Sequence, residues 1–149
     1  MTDRPRRLLI GEGAGIGPTL FLAEQMRGQA LWAPLVLLGS DIPFPFRPRP
    51  SVIVIPTIPT GVIACMPLLE EWGIASRLAS TAGFPGCFDG SVTDLADAWL
   101  SALDPTDLAE VEIFACGPPS MLDSIANSAR RYSVPCQTSP PDSATPISA

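Results

Sequence analysis

The sequence predicts a three-layer α/β domain with a mostly parallel sheet of about five strands and a possible short extra edge strand. Two apolar runs, at 8–10 and 111–115, break into glycine and then into helix formers, as strand–turn–helix units do. The 149 residues suffice for one domain with a proper core. Hydrophobic residues make up 46% of the chain, as expected for a sheet whose two faces are both covered by helices.

The first strand, turn and helix are predicted over residues 8 to 27. The helix is expected to start near Pro18, because proline suits a first helical turn, and to end at Gly28, a natural C-cap. Glycines in the turn let backbone N–H groups approach a phosphate, which the helix dipole also favours. A tight turn that binds nothing is the alternative explanation. Four glycines alternate along this turn: Gly11, Gly13, Gly15 and Gly17.

The second strand is predicted at 33–39 and is followed by Ser40 and Asp41. The end of this strand is where a second nucleotide contact usually lies in α/β folds. These two polar residues are therefore candidate ligand contacts.

Residues 42–50 contain four prolines and cannot form a helix. They are predicted to form an extended surface loop with aromatic pegs. The alternative is that Arg47 and Arg49 contact a phosphate or a partner. Residues 51–56 are predicted as a short strand, possibly at a sheet edge because prolines bound it.

The chain then alternates helix and strand. A short helix at 66–72 precedes a strand at 75–81 and a glycine-rich loop at 82–90, which lies where α/β sheets bind ligands. Residues 92–103 show the clearest helical periodicity, and residues 91–94 resemble a capping box.

The last strand–turn–helix unit begins at 111 and its helix runs to about Arg131. A final strand is predicted at 134–138. Beyond it, the residues are too polar and small to bury enough surface to order themselves. Residues 1–139 are accordingly assigned to one domain and residues 140–149 to a disordered tail.

Composition excludes several classes of function. A net charge of −6 without a basic stripe argues against a nucleic-acid surface. All nine basic residues are arginine, so the histidine and lysine chemistry of many active sites is absent. No apolar run approaches the roughly 20 residues that a bilayer requires, and no signal-peptide core follows the N-terminus, so a cytoplasmic location without membrane contact is expected.

The four cysteines give no sign of a metal centre. They are at least 20 positions apart and form no Cys-x-x-Cys motif, which predicts reduced thiols and no zinc site or iron–sulfur cluster in this chain.

Three loops together resemble the C-terminal, pyridine-nucleotide-binding domain of the ferredoxin–NADP reductase superfamily, and most of all that domain in dihydroorotate dehydrogenase electron-transfer subunits. Gly13-Ala14-Gly15-Ile16-Gly17-Pro18 resembles the family's Gly-x-Gly-Ile-x-Pro phosphate loop. Gly39-Ser40-Asp41 resembles its Gly-Ser-Arg segment, and Cys116-Gly117-Pro118-Pro119-Ser120-Met121 resembles its Cys-Gly-Pro-x-x-Met motif. The resemblance covers nearly all of residues 7–139 and implies a Rossmann-like fold.

The resemblance also implies roles for these residues. The loop 13–18 would cradle the pyrophosphate, and residues 39–41 would contact the nucleotide at the second strand. Cys116 would lie beside the nicotinamide, where hydride passes to a flavin, with Gly117 and Pro118 as the wall of that site. Met121 is assigned to the same cofactor site.

Departures from the family pattern shape the functional hypothesis. Asp41 stands where members that select NADPH tend to have arginine, so NAD(H) is favoured over NADP(H). Glu12 should weaken pyrophosphate binding unless its side chain turns away. No flavin-binding segment precedes Leu8 and no cluster cysteines follow Cys136, so FAD or FMN is expected only through a partner chain.

The leading hypothesis is an NAD(H)-binding module that presents nicotinamide to a flavin carried by a flavoprotein or electron-transfer partner, and that is inactive alone. The alternative is a non-catalytic interaction or regulatory subunit, which would be favoured if the crevice at Cys116 were filled by Phe84, Phe88 or the tail. A third hypothesis is an unrelated α/β enzyme, which would lack a general base to activate its nucleophile. It would use Asp89, Asp94 or Cys87.

Overall fold

Six parallel strands form one sheet in the computed structural model, which describes residues 4–27 and 34–141. In chain order, the strands are β1 (Arg6–Glu12), β2 (Leu35–Gly39), β3 (Arg49–Pro50), β4 (Ala64–Cys65), β5 (Ala75–Ser80), β6 (Phe88–Asp89), β7 (Val111–Cys116) and β8 (Cys136–Ser139). Of these, β3 and β4 form a separate antiparallel pair. The helices are α1 (Ile16–Gln25), α2 (Pro67–Glu71), α3 (Val92–Ser101), α4 (Pro105–Leu108) and α5 (Pro119–Tyr132).

The order of the strands across the large sheet is β6-β5-β2-β1-β7-β8. The chain steps outward from β1 through β2 and β5 to β6, and then returns to the other side of β1 for β7 and β8. The predicted α/β class with a mostly parallel sheet of about five strands and a short extra edge strand is therefore confirmed, since β6 is a two-residue strand at the edge of this sheet. Because the strand order reverses between β1 and β7, their carboxyl ends are the point at which such sheets bind ligands.

Two apolar layers cover the sheet. Alternate residues of β1 show the division, since Leu8 and Ile10 belong to the core beneath α3 and α5, whereas Leu9 belongs to the core beneath α1 and α2. The strands β1, β2 and β7 are buried along almost their whole length, as expected for central parallel strands covered on both faces.

Helix boundaries follow from local chemistry. Ser91 caps α3, because its hydroxyl accepts a hydrogen bond from the Asp94 amide at 3.0 Å, and this confirms the predicted capping. The helix α1 starts at Ile16 rather than at Pro18, so the proline occupies the first turn, where no intrahelical N–H is needed. The predicted C-cap Gly28 lies outside the described residues.

The predicted strand at 51–56 is wrong. The amide of Val52 donates to the Glu70 carboxylate at 2.8 Å and the amide of Ile53 donates to the Ser51 hydroxyl at 3.0 Å, so both donors bond side chains rather than a strand ladder. Arg77 of β5 holds this segment instead, since its guanidinium donates to the Ile53 carbonyl oxygen at 2.6 Å. The short strand β6, inside the predicted loop 82–90, and the helix α4 were not predicted.

The predicted loop at 42–50 is extended, and its aromatic side chains point inward. Phe44 and Phe46 pack against the core beneath α1 and α2, while Arg47 and Arg49 are exposed. None of the helices in residues 4–27 and 34–141 combines the length and apolar character needed to cross a bilayer.

Candidate functional site

The predicted phosphate loop and the Cys-Gly-Pro loop meet at the switch point of the sheet. Gly11 and Cys116 are paired in the register of β1 and β7, which brings the turns after these strands together. A Cβ atom on Gly15 would lie 2.0 Å from the carbonyl oxygen of Cys116 and 2.9 Å from the amide nitrogen of Gly117. The two loops thus touch through their main chains, and only glycine fits at position 15.

The glycine turn has the geometry of a helix entrance. Residues 13–15 form one 3-10 turn, which Gly13 enters with a positive φ of 57°. The Thr19 hydroxyl donates to the Gly15 carbonyl oxygen at 2.7 Å and fixes the start of α1. Gly13, Ala14, Gly17 and Pro18 are exposed at this edge, whereas Gly15 and Ile16 are buried.

The second helix at the switch point is α5. Its preceding residue Pro118 is half-buried, and Met121 is buried with its methyl carbon 2.7 Å from the position of a Cβ on Gly117. Met121 therefore supports the Gly117 turn from the core side. Within residues 4–27 and 34–141, no side chain caps the N-terminus of α1 or α5. The Ile16 amide at the start of α1 donates to the Gly13 carbonyl oxygen, and Pro119 at the start of α5 has no N–H.

Cys116 lies at the end of β7 and is 1% exposed. Burial raises the pKa of its thiol, which therefore stays protonated at neutral pH. Neither Phe84 nor Phe88 covers Cys116, and the part of the tail beyond residue 141 lies outside the described residues. Phe88 lies on β6, four strand spacings or roughly 19 Å from β7, and Phe84 packs against Phe44 with ring centroids 6.2 Å apart.

The end of β2 carries the second predicted contact. Ser40 is buried and its hydroxyl donates to the Ile42 carbonyl oxygen at 2.8 Å, so this side chain closes the turn. Asp41 is exposed and accepts hydrogen bonds from the amide and the hydroxyl of Thr81 at 3.1 and 2.6 Å. These bonds lower the pKa of Asp41 and hold its carboxylate at the edge of the sheet.

Glu12 turns away from the phosphate loop. It is paired with Gly39 in the register of β1 and β2, and its Oε1 atom lies 3.6 Å from the position of a Cβ on Gly39. Burial, and then the charge of Asp41, raise the pKa of Glu12. The Glu12 carboxylate, which was expected to weaken pyrophosphate binding, therefore lies over the end of β2 instead.

A groove formed by the loop that follows β2 was not predicted as a site. It has a volume of about 690 Å³ and is lined by the loop 43–48 with Phe84 and Pro85. Phe44 and Phe46 stack with their centroids 5.1 Å apart. The alternation of proline with phenylalanine was the available signal, since proline excludes a helix and leaves the rings to pack on one side of an extended chain.

The residues of the unrelated-enzyme hypothesis lie in neighbouring elements, with Cys87 just before β6, Asp89 on β6 and Asp94 on α3. In the part of the chain that the structure describes, no three His, Cys, Asp or Glu side chains are close enough to hold a metal ion. Cys87 is half-buried, and burial raises the pKa of its thiol.

No protein-family model matches the chain, and no curated protein is significantly similar to it. Solved structures are similar. The ferredoxin reductase in carbazole 1,9a-dioxygenase, in its FAD apo form, aligns with a TM-score of 0.57 and 22% identity over 94% of this chain and 36% of that one. The C-terminal domain of a hydrogenase from Pyrococcus furiosus aligns with a TM-score of 0.54 and 16% identity over 93% of this chain and 92% of that domain.

A ferredoxin NADP+ reductase from Neisseria gonorrhoeae with bound FAD and NADP aligns with a TM-score of 0.51 and 12% identity. The alignment covers 93% of this chain and 57% of that enzyme. At these identities the similarity shows a shared fold. The chain spans about a third of the first reductase and just over half of the second.

Proposed function

We propose that this chain is an NAD(H)-binding module of a flavin-dependent oxidoreductase or electron-transfer complex, working in the cytoplasm and presenting nicotinamide to a flavin carried by another chain. Its domain would be residues 1–139, followed by the tail 140–149. The closer resemblance to dihydroorotate dehydrogenase electron-transfer subunits is part of this proposal.

One observation carries the proposal. The backbone of Gly15 contacts the backbone of Cys116 and Gly117, so the two loops that resemble the family's pyrophosphate and nicotinamide motifs form one surface at the switch point. Sheets of this topology bind ligands there. The similar structures support the proposal further, since one of them is described with bound FAD and NADP.

The donor set fits a dinucleotide. The N-termini of α1 and α5 have no side-chain caps and would offer the amides that follow Ile16 and Pro119 to a pyrophosphate, and Glu12 leaves that position clear. A carboxylate at Asp41 can accept a hydrogen bond from a ribose hydroxyl, which favours NAD(H) over NADP(H). The proposed cofactor-binding residues are Gly13, Ala14, Gly15, Ile16, Gly17, Pro18, Gly39, Ser40, Asp41, Gly117, Pro118 and Met121, with Cys116 beside the nicotinamide.

The bound nicotinamide would supply hydride chemistry, and the chain would supply orientation. Because the thiol of Cys116 stays protonated, it would neither attack the ring nor act as a base, and it would add a small, uncharged wall to the site. FAD or FMN would enter only with the partner. The isolated chain is therefore expected to oxidise NADH at a negligible rate, and appreciable NADH:dye reductase activity without added flavin or partner would contradict the proposal.

Calorimetric titration with NADH tests the binding step. The variant Gly17→Glu places a carboxylate on the exposed first turn of α1, where no atom lies within 4 Å of the new Cβ and where the helix dipole favours it. The fold should persist while the anion site is blocked. Gly17→Ala is the matched control. Saturable binding to the wild type and to Gly17→Ala, with none to Gly17→Glu, is expected.

A second candidate function is a non-catalytic interaction or regulatory subunit that keeps the fold without nucleotide turnover. The observation that favours it is the burial of Cys116, whose thiol does not face an open crevice in this structure. Absence of NADH and NADPH binding at millimolar concentration, with a wild-type fold, would select this function over the first.

A further inference from the structure

Glu12 and Asp41 bring two carboxylates to the end of β2. The side chain of Glu12 leans from β1 across Gly39, while Asp41 is fixed from the other side by its two hydrogen bonds to Thr81. Both bonds use one carboxylate oxygen of Asp41, so the other oxygen has remaining acceptor capacity.

The surroundings of this pair are suited to a neutral polar group. The charge of Asp41 reaches Glu12 and contributes to its raised pKa, so any further negative charge placed here would meet repulsion from both groups. The first basic residue along the chain after Asp41 is Arg47, on the exposed side of the loop 42–50. A hydroxyl pair could donate to the carboxylates, because ionised carboxylates are acceptors only.

We propose that Glu12 is a specificity-determining residue that, together with Asp41, selects an unmodified ribose and rejects a ribose carrying a 2′-phosphate. This inference rests on the proposed function, since it assigns the adenosine ribose of the dinucleotide to the end of β2. The motif Gly39-Ser40-Asp41 alone would assign the discrimination against a 2′-phosphate to the end of β2. The inference adds a residue from β1, Glu12, to that discrimination.

The test uses ADP and 2′,5′-ADP as probes, because they differ in the 2′-phosphate and lack the nicotinamide. Their affinities are measured by calorimetry for the wild type, Glu12→Gln and Asp41→Asn. Glu24→Gln on the exposed face of α1 is the matched control. The wild type and the control should prefer ADP. Each neutralised variant should narrow that preference by about fivefold or more, the effect of one charge about 4 Å away in water.

A pH series separates recognition from a structural effect. In the wild type, the preference for ADP should weaken as the pH falls and Glu12 takes up its proton, whereas in Glu12→Gln this part of the pH dependence should be lost. A Glu12→Asp variant should restore part of the preference.

Two outcomes would overturn the inference and they are distinguishable. If the wild type binds NADH and ADP but Glu12→Gln discriminates between the probes as the wild type does, Glu12 has no role in specificity and the proposed function stands. If the folded wild type binds neither NADH nor either probe at millimolar concentration, the proposed function fails and the inference fails with it.

Discussion

The main chain of Gly15 lies against the carbonyl group of Cys116, so a single methyl group on Gly15 would sit 2.0 Å from its oxygen and 2.4 Å from its carbon. Neither atom belongs to a side chain that could rotate away. The relationship couples the turn after β1 to the end of β7.

Gly15→Ala should therefore destabilise the protein by about 1–3 kcal/mol, the usual range for forced overpacking, or by more if the two loops separate. Urea unfolding measures the change. Gly17→Ala is the control, because a Cβ there meets open space and alanine favours a helix. Equal midpoints for the two variants would show that the contact is not tight in solution.

Arg77 should be one of the most costly positions to change. Its guanidinium is buried, and it donates to the carbonyl oxygens of Val62 and Ile53 at 3.1 and 2.6 Å, and to that of Ser76 at 2.6 Å. Arg77→Met would leave these acceptors without their donor, at a cost of about 3 kcal/mol. Hydrogen exchange should accelerate over residues 51–63 first. Arg47→Met, at an exposed arginine, should leave both the stability and the exchange unchanged.

Thr57 carries local backbone strain. It is exposed, β-branched and has a φ of 68°, a conformation that costs such residues about 1–2 kcal/mol. Thr57→Gly is expected to raise stability by about 1 kcal/mol, less the entropy that glycine adds to the unfolded chain. At Thr60, which is also exposed and has no positive φ, the same substitution should destabilise. Thermal unfolding of the two glycine variants measures both changes in stability, and a loss of stability at both sites would contradict the prediction.

Stability should depend on pH through Glu12. Because the pKa of Glu12 is raised in the folded state, the folded protein holds this proton more tightly than the unfolded chain does, and the associated stabilisation is lost as the pH rises through the folded pKa. Glu12→Gln should accordingly be more stable than the wild type at pH 7 and no more stable below pH 4, under the ordinary glutamate pKa of about 4.3. Chemical denaturation at the two pH values measures this, and a difference independent of pH would contradict it.

The sequence predicted elements wherever side chains determine the local structure. The apolar periodicity and the Ser91 cap located α3, and the glycine turns located both switch-point loops. The prediction of a strand at 51–56 was wrong because its run of Val and Ile residues is typical of a strand, whereas the amide of Val52 bonds the carboxylate of Glu70, 18 residues further along the chain. Such pairings depend on tertiary structure and leave no local pattern.

The site was predictable to a similar degree. The motifs identified the loops that meet, but the direction of Glu12 could not be deduced, because it depends on the empty space that Gly39 leaves on the neighbouring strand. Likewise, the predicted contact Ser40 turned out to bond Ile42 within its own turn, a geometry that only the folded loop reveals.

The contact between Gly15 and Cys116 has a consequence for how this fold can diversify. A surface that is formed by main-chain atoms constrains the residue type at few positions, chiefly those where a Cβ atom would clash with the neighbouring backbone. The exposed side chains around it, such as Ala14 and Pro18, can be exchanged at smaller cost while the surface itself persists. Proteins of this architecture can therefore drift apart in sequence until pairwise comparison is almost uninformative, and still offer the same main-chain atoms to whatever binds them.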